Sequence, residues 1–523
     1  MKVCILTAGI GSRMGEISDY LNKAILPTNQ GSIISEIFNT FNSNTKFIIA
    51  LGYKKKLVKD YIKLPHPNIL KNITFIEVDN FDGKFSGPGY SLYKCKKKLN
   101  SPFFIISCDT LIKTSSKINY FPKSNIVYGK KVSQVISNTY CNFVIKQKKV
   151  TKIIEKKKYI KKLNCSSYSG FAFIRDYSIF WNDLKKSIKV NVSPQVSDGF
   201  ENLIKKKKLK FENINWIDVG KADLYNKYLN HTNGYDFSKK DEALYITNKK
   251  VIKYFNDKKI LDNRYKKSKL LKNVFPNLKK KGNFYSYEYV DRPTLYNLKN
   301  QSEIFKFFLP WAKKNLWKKK TKSKNFIYDC KIFYYKKNFL RLKKILLKYD
   351  KIDEMKINGK KTLPIKEILS KINWNELYNG NPTFIHGDLH FDHIISLKKK
   401  KFLLLDWRDT FGKSMKVGDL NYDIAKILGG IILNYQLIKK NRFSYSEKKL
   451  DLKYKININK NLYKKNFEIL NSFISNNGMN IKKIQTLVGI IYLNMSPLHN
   501  YPFDKLLFGL SKEILTKKNL FII

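Results

Sequence analysis

The stretch that decides the fold is the amino terminus, MKVCILTAGIGSRMG, residues 1–15. Residues 3–6 form a short apolar run typical of a buried strand, and the glycines after it permit backbone conformations closed to other residues. A glycine-rich turn between a strand and a helix directs several N–H groups to one place, which suits a phosphate group. The stretch lacks the Gly-Lys-Ser/Thr ending of a P-loop and the spacing Gly-x-Gly-x-x-Gly, so a purely structural turn is the alternative.

Outward from this turn, strand-like and helix-like segments alternate up to about residue 230. Apolar runs at 3–6, 47–50, 74–78 and 103–107 predict strands, and 33–41 and 54–62 predict helices. This alternation predicts an α/β fold with a doubly wound, mostly parallel sheet. A polar stretch at 231–240 interrupts the pattern, and we therefore predict domains at 1–235 and 236–523.

The second region begins with a β-rich segment and continues with helices. A hairpin with its corner at residues 248–249, a helix at 259–272 and a strand at 283–290 predict a small lobe of about 242–295. From about residue 300 helical periodicity dominates, except for one strand–loop–strand segment at 383–406. This order predicts a bilobal α+β domain with a large lobe of about 300–523.

Composition limits the partners and the compartment. The 523 residues carry a net charge of +61, but lysine is spread along the whole chain and only seven basic residues are arginine. We attribute this to the composition of an AT-rich genome; a nucleic-acid-binding protein, with steeply salt-dependent binding, is an alternative that we do not favour. No apolar run approaches the ~18 residues that span a bilayer. Six scattered cysteines indicate reduced thiols, so we expect a cytoplasmic protein without membrane insertion; the sequence leaves the oligomeric state open.

The glycine turn belongs to a larger constellation of motifs. GSR at 11–13 is followed by NKAILP at 22–27 and by FFIISCD at 103–109, which ends on an isolated aspartate. This order resembles the sugar-phosphate and choline-phosphate nucleotidyltransferase family. SGPGYSL at 86–92, IEK at 154–156 with SGFAF at 169–173, and WIDVG at 216–220 add to the resemblance. The family usually has proline where this chain has Lys157, which leaves the acceptor open.

The resemblance implies a set of site residues. It implies that Arg13 and Lys23 are catalytic and that Mg²⁺ binds Asp109 and Asp218. The implied nucleotide-binding residues are Ala8, Gly9, Gly11, Ser12, Gly87 and Gly89, and the implied substrate-binding residues are Lys156 and Gly170. The residue types suit the chemistry, because bringing a phosphomonoester to a nucleoside triphosphate requires cations and a metal ion held by hard carboxylate oxygens. Taken singly, Asp218 could be a helix N-cap and Lys23 a solvated lysine.

A second constellation lies in FIHGDLHFDH, residues 384–393, which holds half of the six histidines. The strand that follows ends at Asp406 and leads into Trp407 and Arg408. The segment resembles the aminoglycoside phosphotransferase/choline kinase family and implies a protein-kinase-like fold. By resemblance, Asp388 is the catalytic base. We expect Arg408 to bind the substrate, with a surface ion pair of Arg408 and Asp409 as an equal alternative.

The same resemblance implies a nucleotide site and a metal site. Lys253 and Glu288 would bind ATP, and Asp406 and His393 would bind Mg²⁺. His393 replaces the usual asparagine, and imidazole is a poorer Mg²⁺ ligand, so Asp392 could supply that position. The helix after Lys253 offers Asp262 but no glutamate to pair with the lysine.

Neighbouring polar residues have structural interpretations. Zinc held by His386, His390 and His393 is an alternative, but Gly387 and the flanking strands favour a loop over the helix that this spacing would need. We expect His386 to brace the loop. We expect Asp419 and Asp423 to cap and brace the helix after them.

The two constellations together predict a bifunctional enzyme. A kinase would phosphorylate a small alcohol, amino-alcohol or sugar with ATP, and the nucleotidyltransferase would activate the phosphomonoester with an NTP, CTP being expected, for surface polysaccharide or lipid synthesis. The alternative is an active nucleotidyltransferase joined to a catalytically weak pseudokinase that binds a ligand or partner.

Overall fold

The computed structural model describes residues 1–113, 118–156, 165–230, 241–247, 249–320, 324–448 and 450–516. Their contacts form two compact units. The first comprises the described residues up to 230, those of 241–256, and Lys280–Tyr289; the second comprises Asp257–Lys279 and the described residues from Val290 onward. The contacts thus group the β-rich segment near residue 250 with the first unit, and the predicted boundary at 235/236 stays a prediction.

The first unit is built on strands, with eight helices among its described residues. The strands are β1 (Lys2–Leu6), β2 (Pro27–Thr28), β3 (Gly31–Ser32), β4 (Lys46–Leu51), β5 (Ile73–Glu77), β6 (Phe103–Ser107), β7 (Thr110–Ile112), β8 (Asn125–Lys130), β9 (Asn142–Lys146), β10 (Lys149–Ile154), β11 (Cys165–Ile174), β12 (Leu209–Asn213), β13 (Trp216–Asp218), β14 (Glu242–Ile246), β15 (Lys250–Phe255), β16 (Lys279–Lys281) and β17 (Phe284–Glu288). The helices are α1 (Ile17–Tyr20), α2 (Ile33–Asn39), α3 (Lys55–Ile62), α4 (Pro88–Lys94), α5 (Gln134–Ser137), α6 (Tyr177–Val190), α7 (Glu201–Lys205) and α8 (Ala222–Asn230).

Nine of these strands form one sheet in the order β5-β4-β1-β6-β11-β8-β12-β10-β9. The first four are parallel, as predicted. Beyond β6 the prediction of a mostly parallel sheet is wrong, because β11 is antiparallel to both β6 and β8. The β9–β10 hairpin turns at Gln147 and Lys148, both with positive φ, and a two-residue turn can only join antiparallel strands. The fold is therefore α/β with a mixed sheet.

The apolar run at the amino terminus is buried on both faces of this sheet. Val3 and Ile5 belong to one hydrophobic cluster, whereas Cys4 and Leu6 belong to another. Alternate residues of a strand point to opposite faces, so both faces are covered, as expected where parallel strands read as continuous apolar runs. The turn after β1 consequently starts from a rigid base.

A four-stranded sheet in the order β14-β15-β17-β16 completes the first unit. Its β14–β15 pair is antiparallel, which confirms the predicted hairpin; Asn248 at the predicted corner lies outside the described residues. Tyr245 on β14 donates its hydroxyl to the carbonyl of Ile25 at 2.7 Å.

The second unit is mainly helical, which confirms the periodicity predicted from residue 300 onward. The prediction of a single strand–loop–strand interruption is wrong, because Phe443–Lys448 and Asp451–Ile456 form a further antiparallel strand pair. The helices of this unit are α9 (Lys258–Leu270), α10 (Gln301–Asn315), α11 (Lys324–Lys331), α12 (Lys337–Asp353), α13 (Ile365–Ser370), α14 (Trp374–Tyr378), α15 (Leu420–Ile432), α16 (Tyr435–Lys439), α17 (Lys460–Asn476), α18 (Ile481–Met495) and α19 (Phe503–Thr516). Its strands are β18 (Lys356–Ile357), β19 (Pro382–Thr383), β20 (Ile394–Ser396), β21 (Phe402–Leu404), β22 (Gly418–Asp419), β23 (Phe443–Lys448) and β24 (Asp451–Ile456). Among the described helices, none is long and apolar enough to cross a membrane.

Candidate active sites

The turn after β1 is shaped by glycines and held by backbone hydrogen bonds. Gly11 has φ +77°, in the left-handed region, and the chain then makes a 3-10 turn at Ser12–Met14. Ala8 is buried, and its carbonyl accepts the N–H of Tyr53 at 2.8 Å. Apart from Gly9 and its two chain neighbours, no atom of the described residues lies within 4 Å of the place where a side chain on Gly9 would begin. The turn therefore has a fixed inner end and an open outer surface.

A residue that the sequence did not single out, Asn22, ties the next segment to this turn. Asn22 is fully buried, and its Nδ2 donates to the carbonyls of Thr7 at 3.0 Å and Tyr53 at 2.8 Å. Its Oδ1 accepts the N–H of Ala24 at 2.9 Å. The amide is thus bonded to the backbone of Thr7, Tyr53 and Ala24, which fixes the chain on either side of Lys23 relative to the turn.

The predicted cations and the first predicted aspartate come together. Nζ of Lys23 lies 2.7 Å from Oδ2 of Asp109, and Nη2 of Arg13 lies 4.0 Å from the same oxygen. Burial alone would raise the pKa of Asp109, but Lys23 and then Arg13 outweigh it and lower that pKa. Asp109 is therefore an anion at neutral pH, and it lies two residues after the end of β6.

The second predicted aspartate reaches the same place through strand pairing. β13 pairs antiparallel with β7, which sets Asp218 opposite Thr110. A Cβ built on Gly220 would lie 2.6 Å from Oδ2 of Asp109 and 2.9 Å from Oδ1 of Asp218, so both carboxylates face the α-carbon of Gly220. Tyr140, which sequence reasoning missed, donates its hydroxyl to Oδ2 of Asp218 at 2.6 Å; burial and then this bond raise the pKa of Tyr140.

These two carboxylates fit a magnesium ion. They supply hard oxygen donors, which Mg²⁺ prefers, and usually one or two protein carboxylates suffice while water and phosphate complete the shell. The Gly220 N–H orients Asp218 by donating to its Oδ1 at 2.7 Å. Lys23 occupies the Oδ2 of Asp109, so a metal ion and Lys23 would share this carboxylate.

Further predicted site residues of the first unit are Gly170, Gly87, Gly89 and Lys156. Gly170 has φ +85° at a bulge in β11, and its Cβ would lie 2.7 Å from Oγ of Ser107, next to the strand that leads to Asp109. Gly87 and Gly89 press against the chain at Pro194, whose carbonyl oxygen would lie within 3 Å of a Cβ on either glycine. This packing accounts for both glycines without a nucleotide. Lys156 is exposed, and no bond from it to Asp109 or Asp218 occurs within the described ranges.

In the second unit, a buried carboxylate shapes the His-Gly-Asp loop. Asp423 accepts the N–H of His386 at 2.8 Å, that of Gly387 at 2.7 Å and the Nε1–H of Trp317 at 3.0 Å. Burial nevertheless raises the pKa of Asp423 to about 6. The sequence predicted that Asp423 braces its own helix; it braces the loop instead. Asp419 caps α15, as predicted, by accepting the N–H of Asn421.

His386 braces the loop as well, which confirms that prediction. Its Nε2 donates to the carbonyl of Leu405 at 2.8 Å, and its Nδ1 accepts the N–H of Asp388 at 3.1 Å. A carbonyl only accepts, so the ring carries its proton on Nε2. Burial lowers the pKa of His386 to about 3, so the ring is neutral. With both nitrogens engaged, His386 cannot serve the alternative zinc site.

The predicted base, Asp388, has a cationic partner that the sequence did not suggest. Nζ of Lys426 lies 2.6 Å from Oδ1 of Asp388. Burial alone would raise the pKa of Asp388, but Lys426 and then His393 hold it well below its usual range. Lys426 lies on α15 among buried apolar residues, so in the sequence it looked like a single polar residue in a core helix.

His393 links the two predicted aspartates of this unit. Its Nδ1 donates to the carbonyl of Asp388 at 2.7 Å, and its Nε2 lies 3.9 Å from Oδ2 of Asp406. The Nε2 atom of His393 therefore faces Asp406. Asp406 has φ +56°, unusual for a residue other than glycine, and pairs with Arg264. Strained residues of this kind persist where the surroundings hold them, often at functional sites.

A metal could be held here by a mixed set of donors. One ligand atom from each of Asp388, His390 and His393 lies within 4.8 Å of the others. Imidazole nitrogens suit softer divalent cations better than Mg²⁺. Asp392, the alternative to His393 as a metal ligand, also has other partners: its carboxylate pairs with Lys439 at 2.8 Å and accepts from Gln436 at 2.5 Å. Its role in metal binding stays a prediction.

Three further predicted site residues are Arg408, Lys253 and Glu288. Arg408 lies against the loop: a Cβ on Gly387, whose φ is +86°, would lie 2.7 Å from Cβ of Arg408. Lys253 on β15 lies 3.5 Å from Oε2 of Glu242, so the missing glutamate partner comes from the neighbouring strand rather than from a helix. Glu288 ends β17 and is exposed. Lys253 and Glu288 belong to the first unit, and their role with ATP stays a prediction.

Comparison with known proteins finds similarity in the amino-terminal region. No family model matches the chain. It is 25% identical over 225 residues to the bifunctional protein GlmU of Methanococcus aeolicus, a match that covers 42% of this chain. The chain spans about half the length of that curated relative, 52%. The amino-terminal region resembles sugar nucleotidyltransferases.

Solved structures give matches of similar extent. A UDP-glucose pyrophosphorylase complexed with UDP-glucose is 17% identical with a TM-score of 0.36 and covers 44% of this chain and 97% of its own. A protein assigned as a glucose-1-phosphate thymidylyltransferase from Bacillus anthracis, in complex with sucrose, is also 17% identical with a TM-score of 0.36, over 46% of this chain and 98% of its own.

Proposed function

We propose that the first unit transfers a nucleotidyl group from a nucleoside triphosphate, with CTP as the expected donor, to the phosphomonoester of a sugar, alcohol or amino-alcohol. The observation that supports this most is the convergence of Asp109 and Asp218 at Gly220, beside Lys23 and the turn at Gly11. An oxygen of the phosphomonoester attacks the α-phosphorus, and the bond from that phosphorus to the pyrophosphate oxygen breaks.

The residues of this centre would act by positioning and by charge. Bound Mg²⁺ would neutralise triphosphate oxygens and orient them. Lys23, held by the backbone around Asn22, would place a cation where negative charge accumulates, and Arg13, whose side chain is 52% exposed, is free to follow the departing pyrophosphate. Such fixed charges contribute mainly in the transition state.

For the second unit we propose phosphoryl transfer from ATP to a hydroxyl group. The contacts that favour it are Lys426 on Asp388 and His393 between Asp388 and Asp406. Asp388 would accept the hydroxyl proton as the oxygen attacks the γ-phosphorus and ADP leaves. Its product would be the phosphomonoester that the first unit consumes, in the synthesis of an activated group for surface polysaccharide or lipid. A weak pseudokinase that binds a ligand or partner is the competing function.

Both activities can be measured on the full-length protein. Pyrophosphate release with each of the four triphosphates, Mg²⁺ and a panel of phosphomonoesters tests the first; we expect one triphosphate to be preferred and Asp109→Asn to abolish release, while the exposed Glu201→Gln does not. If none of the phosphomonoesters in the panel gave pyrophosphate release, the proposal would be contradicted.

ADP release with ATP and a panel of alcohols and sugars tests the second activity. We expect Asp388→Asn to reduce it at least about 100-fold, while Asp350→Asn, an exposed change on α12, leaves it unchanged. Equal rates in wild type and Asp388→Asn would favour the pseudokinase.

A further inference from the structure

An aromatic ring next to the His-Gly-Asp loop carries two cations. Nζ of Lys337 lies 4.7 Å from the ring centroid of Phe333, and the guanidinium carbon of Arg408 lies 5.1 Å from it. The ring itself is buried and stacks on Phe411 at 4.3 Å. Cations at such distances are attracted to the face of a ring, so Phe333 holds Lys337 and Arg408 close to each other.

A third cation adjoins this pair. Arg341 lies one helical turn after Lys337 on α12 and donates Nη1–H to the carbonyl of Asn494 at 2.7 Å. Like charges at this spacing repel each other. Burial lowers the pKa of Lys337 well below its usual value, and Arg408 and Arg341 lower it further. Burial and then Arg408 likewise lower the pKa of Arg341. We call Lys337, Arg341 and Arg408 the cation cluster.

The cation cluster has no carboxylate of its own. Throughout the described part of the chain, no aspartate or glutamate forms an ion pair with any of its three members. Asp388 opposes their charge, but its Oδ1 is taken by Lys426. Partly buried cations without a counter-ion raise the free energy of the folded state, and a bound anion would offset that cost.

The cation cluster stands beside the proposed base rather than at a distant surface. The N–H of Arg408 donates to the carbonyl of His386 at 2.9 Å, and its Nε donates to that of Gly387 at 3.3 Å. Lys426, the partner of Asp388, also lowers the pKa of Lys337. His393 lies between Asp388 and Asp406, the proposed metal ligand on the ATP side. Arg408 of the cation cluster instead contacts the loop at His386 and Gly387, so ATP and the cluster would approach Asp388 from different neighbours.

We propose that the cation cluster binds an oxyanion of the phosphoryl acceptor, a carboxylate or a phosphate, so that the second unit acts on an anionic hydroxy compound. A guanidinium and an ammonium can hold such a group by charge-assisted hydrogen bonds. The acceptor's hydroxyl would then lie near Asp388. This inference rests on the proposed phosphoryl transfer and excludes cationic amino-alcohols as preferred acceptors.

Calorimetric titration of the full-length protein tests it without turnover. Inorganic phosphate, D-glycerate, glycerol 3-phosphate and choline would each be titrated in saturating ADP, which occupies nucleotide phosphate sites. We expect the anions to bind and choline not to, with the tighter of glycerate and glycerol 3-phosphate identifying the oxyanion. Lys337→Gln should weaken anion binding about 10-fold, the loss of one charge-assisted contact. Lys337→Arg should retain it, and Lys344→Gln, an exposed change on the same helix, should not alter it.

The results separate this inference from the proposed activity. The inference would be overturned if phosphate bound with equal affinity to wild type, Lys337→Gln and Arg408→Gln. It would also be overturned if choline bound more tightly than glycerate. Anion binding that needs Lys337 but is never followed by ADP release would uphold the anion site and contradict the kinase. Melting temperatures of each variant, with Lys337→Arg as the charge-preserving reference, show that a loss of binding is not a loss of folding.

Discussion

The carboxylates of Asp109 and Asp218 are turned toward one point, the α-carbon of Gly220. A Cβ there would lie 2.6 Å from Oδ2 of Asp109 and 2.9 Å from Oδ1 of Asp218. Far apart in sequence, the two side chains meet because β13 pairs with β7, the strand that follows Asp109. This pairing brings Asp218 to Asp109 and its partner Lys23, which adjoins the turn at Gly11.

Gly220→Ala should damage this centre while leaving the fold largely intact. A methyl group would displace one carboxylate or both, and overpacking of this kind costs about 1–3 kcal/mol. We expect pyrophosphate release to fall at least about 10-fold, with a higher Mg²⁺ concentration needed for half-maximal rate. Pyrophosphate release at the wild-type rate and Mg²⁺ dependence would show that the two carboxylates do not work together.

Lys23→Gln should lower the rate by about 100-fold, because it removes a positioned cation from a site where charge develops. The control is Lys55→Gln, which breaks an exposed pair with Glu77 at 2.6 Å and should change the free energy of unfolding by less than about 1 kcal/mol. Initial rates at saturating triphosphate measure the effect. Similar rates for the two variants would remove Lys23 from the mechanism.

The sequence predicted much of the first unit because its signals are local. The apolar runs before and after the turn identify β1, β4, β5 and β6, and the motifs identify Lys23, Asp109 and Asp218. Asn22 and Tyr140 were missed since each acts through contacts with residues distant in sequence. The antiparallel pairings beyond β6 were missed because partners such as β11 and β6 are set by the tertiary fold.

Asp423→Asn should disorder the His-Gly-Asp loop. The amide can accept at one oxygen only, so at least one of the N–H groups of His386 and Gly387 loses its acceptor, which costs about 1–3 kcal/mol. We expect a lower melting temperature and loss of ADP release. Asp350→Asn, exposed on α12, is the control, and a melting temperature of Asp423→Asn equal to that of the control would contradict the bracing role.

His386 makes the second unit sensitive to acid. Its pKa falls from an ordinary 6.5 to about 3 in the folded state, so below pH 6.5 the unfolded chain binds a proton that the folded chain does not. The stabilisation is complete above pH 6.5 and is lost as the pH falls toward 3, at about 1.4 kcal/mol per pH unit. NMR of labelled histidine should show a neutral ring protonated on Nε2 at pH 6. A ring that titrates near 6.5 would refute this.

In the second unit, sequence patterns revealed some of the site residues and missed others. The loop with Asp388 was recognisable from FIHGDLHFDH, and Asp406 from the strand that precedes it. Lys426, by contrast, sits in an apolar helix, and nothing in its neighbours indicates the ion pair with Asp388. The cation cluster was likewise hidden, since Lys337 is one lysine among many and its contact with the ring of Phe333 depends on the tertiary fold.

The most direct measurement is the Mg²⁺-dependent rate of pyrophosphate release in Asp109→Asn, Asp218→Asn and the double variant. If both carboxylates hold one metal ion, each single change should cost at least about 100-fold and the double change little more, because groups that act as a unit are not additive. Losses that multiply in the double variant, or a single variant that keeps the wild-type rate, would contradict the shared site.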